Sequence, residues 1–142
     1  EESDRIAIIE GLFDNTIDII ATDHAPHSEE EKNKPITDAP SGILGLETAF
    51  AICNKALVLD KNMNYLQLFC KMSYNPAALY GLNAGYLAEG APADLVVFDS
   101  ERVWNINKFA SKSQNSPFIN ENLTGKIELT MSNGKIVFSD WK

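Results

Sequence analysis

Histidine and cysteine, the residues that most often hold metal ions, are scarce in this sequence. Its 142 residues include two histidines and two cysteines, with no His-x-His pair and no metal-type cysteine pair. Because a zinc site needs three or four ligands, we expect that this chain alone does not complete one. Cys53 and Cys70 fall on predicted helices without a disulfide pattern, so we interpret both as reduced, buried thiols.

Long apolar runs and basic clusters are also missing. No stretch approaches the ~18 uninterrupted apolar residues that a membrane-spanning helix needs. The net charge of -8 and the isoelectric point near 4.7 oppose binding to nucleic acid, since no cluster of Lys or Arg offsets the acidity. No secretory signal is visible, and Glu1 resembles a cut point in a longer protein. The sequence therefore predicts a soluble, cytoplasmic protein with no nucleic-acid and no membrane partner.

A helix followed by a strand opens the chain. Apolar residues recur at helical spacing over residues 3–14, behind Ser3, which we expect to cap the helix. The apolar run that follows predicts a strand over residues 17–22, suited to a parallel sheet that is covered on both faces. This order is typical of α/β folds.

The middle of the chain alternates between loop and helix patterns. Residues 28–40 combine a run of mixed charges with two prolines, which predicts a long exposed loop, either a solvated linker or a binding lid. Helical periodicity returns at Gly45, and the asparagines Asn64 and Asn75 are expected to cap two further helices, the second ending at Gly81.

After residue 84 the pattern becomes β-rich. We expect a strand over 94–99, an irregular connection over 105–122 and a hairpin over 127–137. The hairpin prediction depends on Asn133-Gly134, the strongest short signal for a two-residue turn. We therefore divide the chain into an α/β part, residues 1–84, and a β part, residues 85–142.

Both histidines follow the predicted strand over residues 17–22 and lie beside an aspartate. Asp23, His24 and His27 are thus expected at the carboxyl end of a strand, where barrel and doubly wound enzymes build their sites. An aspartate there can ligate a divalent metal and handle the proton of a metal-bound water. The alternative is a polar loop with hydrogen-bonded structural imidazoles, and we favour it for His24.

Four segments together are similar to a known family. They are IATDHAPH at residues 20–27, APSGILGLET at 39–48, GYLAEG with ADLVVFD at 85–99, and SKSQNSPF at 111–118. The first, second and fourth resemble dihydroorotases of pyrimidine biosynthesis, and the third resembles the segment by which zinc amidohydrolases enter their small β domain. The resemblance spans nearly the whole chain.

This resemblance implies a fold. It is α/β, with the C-terminal part of a TIM-type (β/α)8 amidohydrolase barrel, comprising its last helices and strand 8, followed by part of a small β-sandwich domain. The chain would then be the carboxyl-terminal third of a dihydroorotase.

The resemblance also implies a zinc-dependent reaction, the interconversion of (S)-dihydroorotate and N-carbamoyl-L-aspartate. Asp23 would bind zinc and act as the catalytic acid/base, while His27, Ser41 and Gly42 would contact the substrate. Ser41 stands where many relatives have phenylalanine, which leaves a backbone role intact. One or two zinc ions per full-length subunit would take their remaining ligands from residues upstream of Glu1.

Other functions stay open at this point. Hydantoinases, dihydropyrimidinases and allantoinases share the implied fold but usually lack a histidine at the position of His27. A non-catalytic dihydroorotase-like subunit that scaffolds aspartate transcarbamoylase is a second alternative, and a self-contained binding domain is a third. The expected partners are a small-molecule substrate, a second copy in a homodimer and, through the scaffold alternative, aspartate transcarbamoylase.

Overall fold

Helices fill the first half of the chain and strands the second half. The computed structural model describes residues 1–141. Its elements are α1 (Glu2–Phe13), α2 (Glu29–Lys32), α3 (Ala49–Cys53), α4 (Tyr65–Phe69), α5 (Asn75–Leu79), β1 (Leu95–Asn105), β2 (Asn122–Ser132) and β3 (Lys135–Ser139). Two π-helical segments extend the helices, Asn54–Leu59 after α3 and Cys70–Tyr74 between α4 and α5. The α/β class is confirmed.

Helix α1 confirms the first predicted helix, but its cap differs. Glu1 occupies the cap position, and its amino group donates to the Asp4 carboxylate at 2.7 Å. Ser3 lies inside the helix. The acidic residues of the first turn complement the positive end of the helix dipole, which favours a start two residues earlier than a serine cap would give.

The predicted strand over residues 17–22 forms no ladder within residues 1–141, and its pairing in a barrel stays a prediction. The segment is held instead by the α4–α5 helical stretch. The Ile20 amide donates to the Lys71 carbonyl at 3.1 Å, and the buried Lys71 Nζ donates to the Ile17 carbonyl at 2.7 Å. A strand needs a neighbour for its main-chain groups, and none of the described residues runs beside this one.

Residues 28–40 are exposed, as predicted, but they are not a free linker. Ser28 caps α2, because its Oγ accepts from the Glu31 amide at 3.2 Å. Lys32 Nζ then donates to the Pro40 and Gly42 carbonyls at 2.9 and 3.2 Å. These bonds close the segment on itself, while residues 29–31, 33 and 34 stay exposed, as the solvated interpretation predicts.

Two of the three later helix starts also differ from prediction. Helix α3 begins at Ala49 and not at Gly45. Asn64 caps α4 as predicted, accepting from the Gln67 amide at 2.9 Å. Asn75 is not a cap: it lies inside a continuous helical stretch, and its Nδ2 donates to the Asp18 carbonyl at 2.8 Å.

The end of α5 follows the prediction. Gly81 has φ +65°, and the amides of Gly81 and Leu82 donate to the carbonyls of Ala78 and Ala77. This pair of bonds satisfies two carbonyls that the helix leaves open, as a glycine-terminated helix end commonly does.

The β part forms one antiparallel sheet in the order β1-β2-β3. Asn133 and Gly134, with φ of 49° and 73°, make the predicted two-residue turn between β2 and β3. Strand β1 confirms the expected strand and extends it by several residues, and the residues between β1 and β2 are irregular, as expected.

Two apolar clusters join the helices to the sheet. The first holds five buried residues and packs against the ring of Phe98 on β1: Leu12, Phe50, Leu57, Met63 and Leu68. Phe98 lies edge-on to Phe50, with ring centroids 4.8 Å apart. The second cluster joins helix α3 to the β1–β2 connection: Leu44, Ala51, Ile106, Phe109 and Leu123.

A buried amide also joins the layers. Asn54 is fully buried, and its Nδ2 donates to the Ser100 and Thr124 carbonyls at 3.1 and 3.0 Å. Its Oδ1 accepts from the Tyr65 hydroxyl at 2.8 Å. Gly125 is needed beside it, because a Cβ there would lie 2.6 Å from Asn54 Nδ2.

The cysteine prediction was half right. Both cysteines are free, but Cys53 is half-buried whereas Cys70 is exposed. Burial raises the pKa of the Cys53 thiol. Within residues 1–141, no helix is both long and apolar enough to cross a membrane.

Candidate functional site

Asp23 occupies an unusual backbone conformation. Its φ is +43°, in the left-handed region, where Asp and Asn are the non-glycine residues best tolerated. The residue is exposed, and its carboxylate accepts no hydrogen bond from any group of residues 1–141. All of its oxygen lone pairs are therefore available to a ligand.

His24, the next residue, connects the Asp23 segment by hydrogen bonds to the loop at residues 43–46. Its Nδ1 lies 3.1 Å from the Gly45 amide and 3.4 Å from the Leu46 amide. Both partners are donors, so Nδ1 acts as the acceptor. His24 also forms a parallel bridge with Ile43. The structural role that we favoured for His24 is confirmed.

His27 contacts the backbone of the predicted substrate-binding loop. Its Nε2 lies 2.9 Å from the Ser41 carbonyl, which can only accept, so Nε2 carries a proton. Its Nδ1 faces Glu31 Oε2 at 3.7 Å. Hydrogen bonds from Ser28, with smaller contributions from the charges of His27 and Lys34, hold the pKa of Glu31 below its usual value.

Gly42 lies against the motif in a conformation that requires glycine. Its φ is +117°, and a Cβ at this position would be 2.5 Å from the Ala25 Cβ and 3.4 Å from His27 Nε2. The amide groups of Ser41 and Gly42 have no acceptor within the described residues. The loop thus presents two unpaired backbone donors next to the imidazole of His27.

Asn115 ties the two loops together, and the sequence had not indicated it as a site residue. Its Nδ2 donates to the Ala25 and Gly42 carbonyls at 2.9 and 3.2 Å, and its Oδ1 accepts from the His27 amide at 3.1 Å. Its only sequence signal is its place in SKSQNSPF over residues 111–118. The structure therefore brings together His27, Ser41 and Gly42.

Comparison with known proteins identifies the family. The sequence matches the Amidohydrolase family over residues 1–137. The chain belongs to this family. It is 53% identical over 136 residues to a dihydroorotase of Clostridioides difficile strain 630, covering 96% of this chain and 32% of that protein. It is 51% identical over 132 residues to the dihydroorotase of Lactococcus lactis strain IL1403, covering 92% and 31%.

Solved structures agree with this fold. The chain superimposes on an L-hydantoinase (dihydropyrimidinase) from Arthrobacter aurescens with a TM-score of 0.88 and 30% identity, covering 96% of this chain and 32% of that one. A D-hydantoinase (dihydropyrimidinase) from Thermus sp. gives 0.83 and 25%, covering 94% and 31%. This amidohydrolase chain spans about a third of the length of the curated relatives that it matches.

Amidohydrolases are generally metal-dependent, and the residues of this chain fit one part of a metal site. No three side chains of His, Cys, Asp and Glu converge anywhere in residues 1–141. His24 Nδ1 and His27 Nε2 are engaged with backbone groups. The exposed Asp23 carboxylate is free and of the hard oxygen type that divalent cations accept, so it suits a single ligand.

A groove of about 710 Å³ runs along the sheet, away from most of the predicted site. Its walls include His24, Glu47, Trp104, Lys108 and Lys126, but not Asp23, His27, Ser41 or Gly42. Glu47, predicted only as part of a helix start, accepts from the Ala110 amide at 3.1 Å and closes one end of the β1–β2 connection.

Proposed function

We propose that this amidohydrolase chain is part of a dihydroorotase, which interconverts (S)-dihydroorotate and N-carbamoyl-L-aspartate. The observation that carries the proposal is the 2.9 Å contact between His27 Nε2 and the Ser41 carbonyl. It joins the two segments whose residues resemble the dihydroorotase site. The identity of 45–53% to proteins named dihydroorotase supports the substrate.

In this proposal Asp23 is both the proton carrier and one ligand of a metal ion. Its carboxylate would bind zinc as one ligand, with the others supplied by the rest of the longer protein. Zinc, when bound, supplies Lewis acidity toward the ring carbonyl and lowers the pKa of a water molecule. Asp23 would accept the proton of the attacking water at a carboxylate oxygen and pass it to the departing ring nitrogen as general acid.

The loop residues bind the substrate carboxylate. The free amides of Ser41 and Gly42 would donate to its oxygens. Their peptide groups are oriented through the Pro40 and Ser41 carbonyls, which accept from Lys32 Nζ and His27 Nε2. His27 lies beside them, since its Nε2 would be only 3.4 Å from a Cβ on Gly42. The Nε2 proton is donated to the Ser41 carbonyl, so His27 orients this peptide group, and its direct contact with the substrate stays a prediction. The side chain of Ser41 takes no part.

The alternatives have less support. The hydantoinase structures are at most 30% identical to this chain, below the identity to dihydroorotases. A non-catalytic scaffold for aspartate transcarbamoylase has no need of an unpaired carboxylate in the left-handed conformation, where strain tends to accompany function.

The division of the chain is part of the same proposal. We propose that residues 1–84 complete a (β/α)8 barrel with residues 17–22 as strand 8, and that residues 85–142 belong to a small β-sandwich domain. The helices before residue 80 and the sheet after residue 94 support this division. A cytoplasmic homodimer, associated or not with aspartate transcarbamoylase, remains a prediction.

A chimera tests the function. Residues 1–142 replace the matched 136-residue segment of the Clostridioides difficile dihydroorotase, and hydrolysis of dihydroorotate is measured with zinc present. We expect activity from the chimera and none from the 142-residue chain alone, because one carboxylate does not hold the metal.

For the substitution Asp23→Asn in the chimera, which should abolish most activity, the matched control is Asp38→Asn, which changes another exposed aspartate outside the site and should leave activity intact. A folded chimera that loads zinc but does not hydrolyse dihydroorotate would contradict the proposal. Cleavage of hydantoin in its place would favour the hydantoinase alternative. Turnover by the chain alone would show that the metal site is complete within it.

A further inference from the structure

We propose that Asn115 is a positioning residue, which fixes His27 and the Ser41–Gly42 backbone for the substrate. The inference rests on the proposed function, since it concerns the same site. Asn115 belongs to the irregular connection between β1 and β2, far from the Asp23 segment in sequence. Nothing in the pattern of that connection assigns it a role.

The geometry uses every hydrogen-bonding group of the carboxamide. The two Nδ2 protons go to the Ala25 carbonyl at 2.9 Å and the Gly42 carbonyl at 3.2 Å, and Oδ1 accepts from the His27 amide at 3.1 Å. The Asn115 carbonyl also accepts from the Leu44 amide at 3.0 Å. One residue therefore bonds the main chain on both sides of the contact between His27 and Ser41.

This arrangement calls for an amide and not merely for a polar side chain. Two of the three side-chain partners are carbonyl acceptors and the third is an amide donor. A carboxylate at position 115 would set one of its oxygens against the Ala25 and Gly42 carbonyls and leave both without their donor. An alanine would remove all three bonds.

The connection that carries Asn115 is itself anchored. Leu44, whose amide bonds to Asn115, is 1% exposed and packs in the cluster with Ile106 and Phe109, which follow the end of β1. The apolar contact holds the two segments together, and Asn115 sets the orientation of the peptide groups.

The proposed role of Asn115 differs from that of Asp23. Asn115 contacts the residues proposed to bind the substrate carboxylate, and no hydrogen bond joins it to Asp23. Loss of its donors should weaken substrate binding in the ground state and the transition state alike. The expected signature is a raised KM with little change in kcat.

The experiment uses the active chimera with Asn115→Asp and Asn115→Ala, and with Asn107→Asp as the matched control. Asn107 lies on the same connection, is exposed and makes no hydrogen bond within the described residues. We expect the two Asn115 variants to raise KM about tenfold or more with kcat within about threefold, and the control to match the parent.

A double variant checks that the effect runs through His27. If Asn115 acts by placing His27 and its loop, Asn115→Ala combined with His27→Ala raises KM by less than the product of the single effects. Hydrogen exchange adds a readout that does not depend on turnover: the Leu44, Gly45 and Leu46 amides should exchange faster in Asn115→Ala while those of β2 and β3 do not change.

Three results would contradict the positioning role, and one would separate it from the proposed function. A fall in kcat as large as the rise in KM, an additive double variant, or unchanged exchange at residues 44–46 would overturn the positioning role. If the parent chimera is inactive but the exchange result is as expected, the positioning of the loop stands and the dihydroorotase proposal fails.

Discussion

The sheet and the site loops are held together in opposite ways. Strands β1 to β3 pair with their neighbours in the chain, and main-chain groups bond to main-chain groups along each ladder. The segment over residues 22–46 has a single bridge and is fixed by side chains that bond to backbone, with contributions from Lys32 and Asn115. The comparison shows that regular pairing builds the scaffold and individual side chains shape the site.

The consequence is a difference in sensitivity. A ladder of many equivalent bonds tolerates the loss of one side chain, because the main-chain groups remain. A loop fixed by a few side chains depends on each of them, so single substitutions there should affect function more than folding.

Asp23→Asn should give the largest effect. In the chimera we expect a loss of about 10² to 10⁴ in kcat, because an amide cannot accept and return the proton. The fold should be unaffected, since the Asp23 side chain has no partner in residues 1–141 and asparagine also tolerates its left-handed φ. Steady-state kinetics and the melting temperature are the measurements. A variant with parental kcat would rule Asp23 out as the proton carrier.

Two glycines with positive φ give the next comparison. Gly42→Ala should destabilise the protein by about 2–3 kcal/mol, because the new Cβ would clash with Ala25 in addition to the backbone strain. Gly134→Ala, in the hairpin turn, meets nothing within 4 Å and should cost about 1 kcal/mol from strain alone. Denaturant unfolding of both variants measures the difference, and equal losses would mean that the loop can yield to the extra methyl group.

Hydrogen exchange compares residues 17–22 with the sheet within a single sample. In the 142-residue chain the amides of Asp18, Ile19 and Ala21 have no acceptor within the described residues, so they should exchange about tenfold or more faster than the paired amides of β2 and β3. In the chimera the same amides should become protected, since the proposed barrel neighbours are then present. Protection in the monomeric chain itself would show that residues 17–22 find a partner without the barrel.

The two cysteines should give the smallest effect. At pH 8 an aromatic disulfide reagent should label the exposed Cys70 about tenfold faster than Cys53, whose burial raises its thiol pKa and limits access. Cys70→Ser should leave only the slow reaction. Equal rates for the two thiols would indicate that the helix around Cys53 opens readily.

Sequence reasoning succeeded where the cause of a structure is local. The cap at Asn64, the turn at Asn133-Gly134 and the helix end at Gly81 each follow from residues within a few positions, and all three were predicted. It failed for Asn75, which looks like a cap followed by proline but donates to Asp18, 57 residues away.

The site shows the same limit. The motif around Asp23 and His27 could be recognised because it is contiguous. The side chain of Asn115 bonds to residues 73 to 90 positions away, and its place in SKSQNSPF does not indicate these partners. The strand over residues 17–22 was predicted from its apolar run, but a run of side chains does not specify the neighbour that a strand needs.

Ser41 contributes its carbonyl to His27, while its own side chain is exposed and makes no hydrogen bond within residues 1–141. The contact with His27 therefore does not depend on which side chain residue 41 carries. A cysteine could be introduced there, after the two native thiols are replaced, and coupled to a small fluorophore. The dye would lie next to the proposed substrate-binding loop, and its emission would report whether substrate is bound there. No proposed catalytic residue would be altered.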